Sequence, residues 1–466
     1  MENIKSPDNS VKWQFWLWLG STVLVVLIVV VISVAWLTRH AVMAGPRLTE
    51  AQSQIILEVA AFPAKVRAAG LEVSQSIDDD PVALLMDKQA TEQPSWVRRF
   101  PAPEDKGYLL FSGVDATAKQ SVVKLLRIAD GVEMARWQPD LSVINDQITD
   151  KKWVPKGSWV ILRPTHPILL KDGDIIFNAG GFALVKQNRC SAKPVWVVDE
   201  IAHHSNELDE HGETVWSPSI SNNGFPENSW LKNYVQDDAL GHFSLAGKLL
   251  EQRSFSSILI DNGLGALLMG TGGEAKKDPI HMNQIKVAHS DSRYWQRGDL
   301  LISSRHLSTL FLYRPSTNKI LWHQTGPWMN QHSVDFVDAQ RISVFSNNVV
   351  SGVPKKEHAF LTPKDLNRVY VFDFETKQVS QPYEALLAAA KPITLTEGRA
   401  QLLPDGGLFI EETNYGRHLR FTKDKLLWSR VNDYDEKRIG MVSWSRYLTA
   451  EEAREPLKAL AAQRCN

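Results

Sequence analysis

Cysteine is nearly absent: Cys190 and Cys465 are the only two in 466 residues. That excludes a disulfide-rich scaffold and any zinc module built on paired cysteines. There is no His-Glu-x-x-His. The glycine stretch GTGGEA from Gly270 lacks the Gly-Lys-Ser/Thr ending that would let it cradle a phosphate. Charge of one sign is missing too, with 52 Lys plus Arg against 53 Asp plus Glu. No basic run carries interleaved aromatics, so a nucleic-acid partner is not expected. The two cysteines are far apart and either form one disulfide in an oxidising compartment, tying the C-terminus to the body, or stay as two buried thiols.

Long apolar runs are scarce as well, with one exception. Residues 13–38 carry no charge and include VLVVLIVVVISVAWL, enough to cross a bilayer about 30 Å thick at about 1.5 Å per residue. A single-pass anchor in the inner (cytoplasmic) membrane is expected. The rival is a cleaved signal peptide, with Val42-Met43-Ala44 as the small-residue site. The N-terminal tail of 1–12 is short, so the large C-terminal part is expected on the periplasmic or extracellular side. Residues 39–104 read as a stalk with a helix over Leu48 to Val66, where Thr49 and Gln52 have capping-box spacing. Residues 105–432 hold the body, and 433–466 read as a helical tail with Thr449 and Glu452 as a capping box.

From Gly107 the texture is all-β: short apolar strands such as GYLLFSG, DIIFNA, ILIDN, GALLMG, DLLISS, TLFLYR and RVYVFDF, separated by turn residues at short intervals. Sixteen tryptophans fall mostly in these segments, as core filling between packed sheets. A cassette recurs in which a strand ends near Trp, a loop follows, and a His then precedes a large apolar residue by four positions. The pairs are His166 and Leu170, His204 and Leu208, His281 and Ile285, His332 and Phe336, with Arg399 in the His position before Leu403. A repeat that closes into a ring points such side chains at one spot. The expected fold is a six-bladed β-propeller with these five residues at the channel mouth. The stretch GHFSLAGKLLEQRSF with ILIDNGLGALLMG supplies a further blade. Taken singly, Arg305 has a structural ion pair with Asp335 as its plain alternative. His289, His306 and His323 lie outside the register and read as surface or packing residues.

The ordered set GYLLFSG…VVKLLRIADGVEMARW, His203-His204, His281-Met282-Asn283, Ser304-Arg305 and Gln331-His332 resembles the bacterial PAPS-independent arylsulfotransferase family, over roughly Gly107 to Trp428. The resemblance implies that His332 is the nucleophile that becomes a sulfohistidine. It also implies that His204, His281, Asn283 and Arg305 surround the transferring sulfuryl group. The implied partners are a small aryl sulfate donor and a phenolic acceptor, with no diffusible cofactor. The residue types suit that chemistry: a neutral imidazole attacks near pH 7, an arginine fork binds two oxygens, and His204 can pass a proton to the departing phenolate. His281 and the Asn283 amide can donate to the other oxygens, and Arg399 and His166 add positive potential as substrate-binding groups. No metal is expected, since Asn and Arg are poor partners for zinc. Two departures from the pattern are the membrane anchor and an insert, AHSDSRYWQRG, that could alter substrate access. The alternative function is a non-catalytic propeller binding an anionic ligand or partner protein in the same channel; a hydrolase releasing sulfate to water ranks third.

Overall fold

Strand pairing alone sets the blade count. The computed structural model describes residues 9–42, 81, 84–93, 96–148, 162–199, 202–221, 225, 231–270, 273, 276–351, 358–360 and 366–465. Within them six four-stranded antiparallel sheets follow one another. Their first strands are Pro164–Leu169 in blade 2, Glu207–Leu208 in blade 3, Met282–Val287 in blade 4, Gln331–Phe336 in blade 5 and Arg399–Leu402 in blade 6. Blade 1 holds Tyr108–Asp115, Gln120–Arg127 and Glu133–Trp137, and takes its first strand, Arg446–Leu448, from the far end of the chain.

The ring is held by apolar clusters that fall one to each gap between blades. Leu125 meets Phe177 between blades 1 and 2, and Ile176 meets Val215 between 2 and 3. Leu240 and Ile285, Leu301 and Val344, Val369 and Ile410, and Phe409 with Leu109 complete the circuit. Each such fully buried side chain contributes about 1.5–3 kcal/mol by its removal from water. Tryptophans fill gaps as expected: Trp137, Trp328, Trp428 and Trp444 are buried. Asp105 joins the ring's two ends by accepting from Trp428 Nε1 and Tyr447 Oη, each at 2.7 Å.

Four sequence expectations change. First, Arg446–Leu448 lies in the presumed tail, and Leu85–Asp87 of the presumed stalk pairs with Arg438–Gly440. Both are too short to carry a visible strand pattern. Second, the described residues of the long interval after His204 form no extra blade. Asp237–Ser244 and Leu249–Ser254 are the outer strands of blade 3, and the apolar run that follows is helical over Phe255–Asp261, with a 3-10 turn at Gly265–Met269. Ser254 caps that helix through Ser257 N–H, and Phe255, Ile258 and Leu259 share its buried side. Third, the insert at 288–298 joins the far ends of the first two strands of blade 4 and packs Trp295 on Phe336 and Phe374. It lies at the strand end opposite His281, so it does not gate that end. Fourth, His306 is drawn into the site, where its ring meets that of His281 with centroids 4.3 Å apart. The helix expected over Leu48 to Val66 lies outside the described residues.

The tail helix, Ala450–Ala462, starts at the expected capping box and buries Leu460 in the cluster between blades 1 and 2. Cys465 beyond it is bonded to Cys190 in blade 2, and this bond tethers the segment that supplies the closing strand. Cys190→Ser is expected to cost about 2–4 kcal/mol, read as a lower Tm that reductant reproduces in the unmutated protein. An unchanged Tm would show that the closing strand holds without the tether.

Among the described residues the N-terminal unit holds one helix, Asn9–Val42. Its stretch Trp18–Leu37 is long and apolar enough to cross a membrane, a property shared by anchors and signal sequences alike.

Candidate active site at the channel mouth

One backbone position repeats through all six blades. Trp444, His166, His204, His281, Asn330 and Glu397 stand just before or within the first strand of blades 1 to 6 and have φ between 49° and 60°. Positive φ is uncommon outside glycine and costs on the order of 1–3 kcal/mol where it is held. Repeated around a ring, it turns the chain into the channel at every blade. Nothing in the composition of these positions announces it, since only three of the six are histidine.

The single His register expected from sequence therefore divides. Counted back from the residue whose N–H closes the following turn, His166 and Arg399 lie four before Leu170 and Leu403. His204, Asn283 and His332 lie five before Asp209, Ala288 and Val337. A shift of one along a strand changes the face on which a side chain stands. Bulges between Thr165 and Ile168, Met282 and Gln284, and Gln331 and Val334 adjust the local count.

His332 is 1% exposed, and both of its ring nitrogens are engaged. Asn347 Nδ2 donates to the carbonyls of Glu397 at 2.8 Å and Thr394 at 3.1 Å. Its Oδ1 must therefore accept from His332 Nδ1, 2.6 Å away. The proton is thus fixed on Nδ1 and the lone pair on Nε2, where the Glu397 N–H donates at 2.9 Å. Burial, reinforced by Arg305 and His281, pushes this imidazole well below its usual range, against the Asn347 bond. It is a neutral imidazole with its tautomer set. Asn347 and Glu397 were invisible in the sequence because each reaches His332 from a different strand connection.

Across the mouth, His281 is gripped by Asp278, whose Oδ1 accepts from the His281 backbone N–H at 3.1 Å and whose Oδ2 lies 2.6 Å from Nδ1. Burial would raise the Asp278 carboxyl, but the His281 bond, with the His306 and His203 rings nearby, holds it below the usual range. The Arg305 backbone N–H donates to the His281 carbonyl at 2.9 Å, and Arg305 Nη1 lies 2.9 Å from His306 Nε2. Asp335, the alternative partner for Arg305, sits 3.5 Å from Lys286. His204 faces His281 with ring centroids 5.1 Å apart, and its Nδ1 is 2.7 Å from His203 Nδ1. Burial, with His203, His281, His332 and Arg305 close by adding to it, pushes His204 well down. Those neighbours also define the group: His204, His281, Arg305 and His332 share one site.

Asn283 adjoins them by donating from Nδ2 to the Gln331 carbonyl at 2.9 Å, bracing the strand that carries His332. Arg399 and His166 fall in a second group. Trp444 has ring contacts with both His332, at 6.1 Å, and His166, at 5.1 Å. His166 and Arg399 interact with Arg446, and Arg399 with Glu207 and Asp335, while Lys286 bridges those two carboxylates at 3.6 and 3.5 Å. Burial, with Arg446 adding to it, pushes the Arg399 guanidinium down to about 10.

Burial also pushes His166 well below its usual range, with Arg446, Arg399 and Lys286 adding to it. A depressed folded value means that the unfolded chain binds more protons below its own value of about 6.5. The stability due to neutral His166 and His332 is complete above that pH. It should fall on acidification by up to about 1.4 kcal/mol per pH unit for each. Thermal melts between pH 8 and 5 check this; a flat Tm would mean that both rings take up protons in the fold as readily as in the unfolded chain.

Asp278, His281 and His306 bring ligand-type atoms within 4.8 Å of one another, the arrangement a metal would need. His306 Nδ1 lies 2.7 Å from the Asp278 carbonyl, so all three are already matched as hydrogen-bond partners.

Three histidines and an arginine thus converge at one end of a six-bladed propeller. The sequence profile of the family described as Arylsulfotransferase (ASST) matches residues 166–433, and the chain belongs to that family. No curated protein matches. Among solved structures, a protein of unknown function from Bacteroides caccae is 12% identical, with a TM-score of 0.45 over 74% of this chain and 99% of that one. Kuenenia stuttgartiensis hydrazine synthase is 9% identical, with a TM-score of 0.38 over 71% and 80%. The Pan2 WD40 domain of Neurospora crassa is 9% identical, with a TM-score of 0.37 over 78% and 93%. Likenesses this remote bear no weight for function.

Proposed function

We propose that the protein transfers a sulfuryl group from an aryl sulfate ester to a phenolic acceptor by a ping-pong route, through a sulfohistidine on His332. The observation that carries this is the fixed tautomer of a buried, neutral His332 beside Arg305, within a chain of the arylsulfotransferase family. Sulfuryl transfer resembles phosphoryl transfer, with a loose in-line transition state whose charge lies on equatorial oxygens. Fixed cations and N–H donors stabilise that charge without reorganisation. Arg305 supplies the planar fork, His204 and His281 line the oxygens, and Asn283 braces the nucleophile's strand. Arg399, in the second group, adds positive potential from the channel side, and His166, neutral by burial, serves there only as a hydrogen-bonding group. No diffusible cofactor takes part. The helix at 13–38 anchors the protein in the inner membrane, with the propeller on the outer side.

The Glu397 N–H occupies the attacking lone pair in this form and must be displaced by the donor. That contact is what favours the second reading, a binding propeller without turnover. The full chain in detergent, given a chromogenic aryl sulfate with and without added phenol, separates the two. Phenolate release that phenol accelerates, with parallel-line kinetics in donor and acceptor, is the expected result. No release from folded protein across several donors would leave the binding reading.

A further inference from the structure

Sulfuryl transfer between two phenols leaves the proton count unchanged overall, but neither half-reaction does so alone. The assignment of the proton carrier rests on the sulfohistidine route through His332. In the first half-reaction the S–O bond breaks, its electron pair goes to the phenolate oxygen, and the Nε2–S bond forms on His332. The phenolate then needs a proton. In the second, the acceptor oxygen attacks sulfur, the electron pair returns to Nε2, and the acceptor's proton must leave. One group that gives a proton in the first step and takes one in the second serves both.

We infer that this group is His281 Nε2, and that Asp278 and His306 are the positioning residues that fit it for the task. Arginine cannot accept a hydrogen bond, so the Arg305 Nη1 contact at 2.9 Å makes His306 Nε2 the acceptor. A neutral His306 then carries its proton on Nδ1, which donates to the Asp278 backbone carbonyl at 2.7 Å. The Asp278 carboxylate is left to His281, accepting from both its backbone N–H and its ring Nδ1. His281 Nε2 has no hydrogen-bond partner among the described residues, and its side chain is 26% exposed at the mouth. A carboxylate on the far nitrogen stabilises the imidazolium and keeps the near nitrogen oriented.

The other histidines fit the task less well. His332 is the nucleophile, with both nitrogens engaged. His306 has both nitrogens spent. His204 leans on another histidine instead of a carboxylate and lies among cationic neighbours. This moves the proton-carrying role expected for His204 to its neighbour, and leaves His204 to line the sulfuryl oxygens.

The titratable or charged groups facing His281 are Asp278, His306 and Arg305 beside it, His204 and His203 from blade 3, and His332 from blade 5. Asp278→Asn keeps an oxygen to accept one N–H but removes the charge that supports the imidazolium. In the full chain, kcat/KM for the donor should fall about 10²-fold for sulfates of weakly acidic phenols, whose departure needs the proton. It should fall less than about tenfold for nitrophenyl sulfates, which leave without help. The alkaline limb of the pH profile should move to lower pH. An equal loss for both donor types with an unmoved profile would mean that Asp278 only holds the loop, and would overturn the proposal.

Should that variant not fold, the native protein decides. A steep dependence of kcat/KM on phenol acidity shows that no proton is given, and also overturns the proposal. Loss of activity on chelation, restored by a divalent ion, would do so in favour of a metal on Asp278, His281 and His306. A native protein that forms no sulfuryl adduct on the His332 peptide fails at the sulfohistidine route itself; one that forms it yet shows the wrong donor dependence fails only in the assignment of His281.

Discussion

His332→Ala should abolish phenol-stimulated turnover, by about 10⁴-fold or more, as removal of an essential covalent nucleophile does. It should also abolish the sulfuryl adduct that the native protein accumulates when given donor alone. The substitution leaves Asn347 Oδ1 and the Glu397 N–H without their shared partner in a buried site. A stability cost of about 1–3 kcal/mol accompanies such unsatisfied groups. Free imidazole has the shape and both nitrogens to fill the gap, accepting from Glu397 and donating to Asn347, so partial chemical rescue is expected. Rescue matters because it separates loss of the nucleophile from damage to the fold. Turnover that survives the substitution would mean that sulfur is attacked directly by the acceptor, or by another residue.

How much of the molecule was legible in its sequence divides by distance along the chain. The strand texture, the tryptophan filling, the apolar helix near the N-terminus and the capping box at Thr449 are local, and each appears where it was expected. The convergence of His204, His281, Arg305 and His332 was also expected, but on a register that was only partly right. It grouped Arg399 and His166 with them, because a four-residue spacing to an apolar residue does not show which face of a bulged strand a side chain takes. Asp278, His306, Asn347 and Glu397 carried no signal. Their roles come from hydrogen bonds made when blade ends meet, and the polarity of those bonds, more than residue type, assigns each proton. The run ILIDN misled for the opposite reason: it is apolar and short enough for a strand, and only the Ser254 cap and the i, i+3, i+4 burial make it a helix.

Arg305 carries the second large effect. It is 5% exposed, at the end of the strand Leu300–Ser304, where Ser304 Oγ donates to the Ile280 carbonyl at 2.7 Å and the Arg305 backbone holds the His281 carbonyl. Burial lowers its guanidinium, with Asp278 opposing, yet an arginine so placed remains charged. Two unit charges 4 Å apart attract by about 1 kcal/mol in water and about 4 kcal/mol at the effective dielectric of such a site. Charge that develops on the sulfuryl oxygens is therefore stabilised here far more than in solvent. Arg305→Ala should lower kcat/KM for the donor by about 10²- to 10³-fold, the usual cost of losing one preorganised donor to an oxyanion. Arg305→Lys should recover only a small part of this, since a point charge cannot span two oxygens as the fork does. Weakened competitive inhibition by inorganic sulfate should accompany both losses, because the same fork binds the free oxyanion. If donor turnover were unchanged in Arg305→Ala while sulfate inhibition disappeared, the fork would bind anions without stabilising the transition state, and the charge on sulfur would have to be met by His204 and His281 alone.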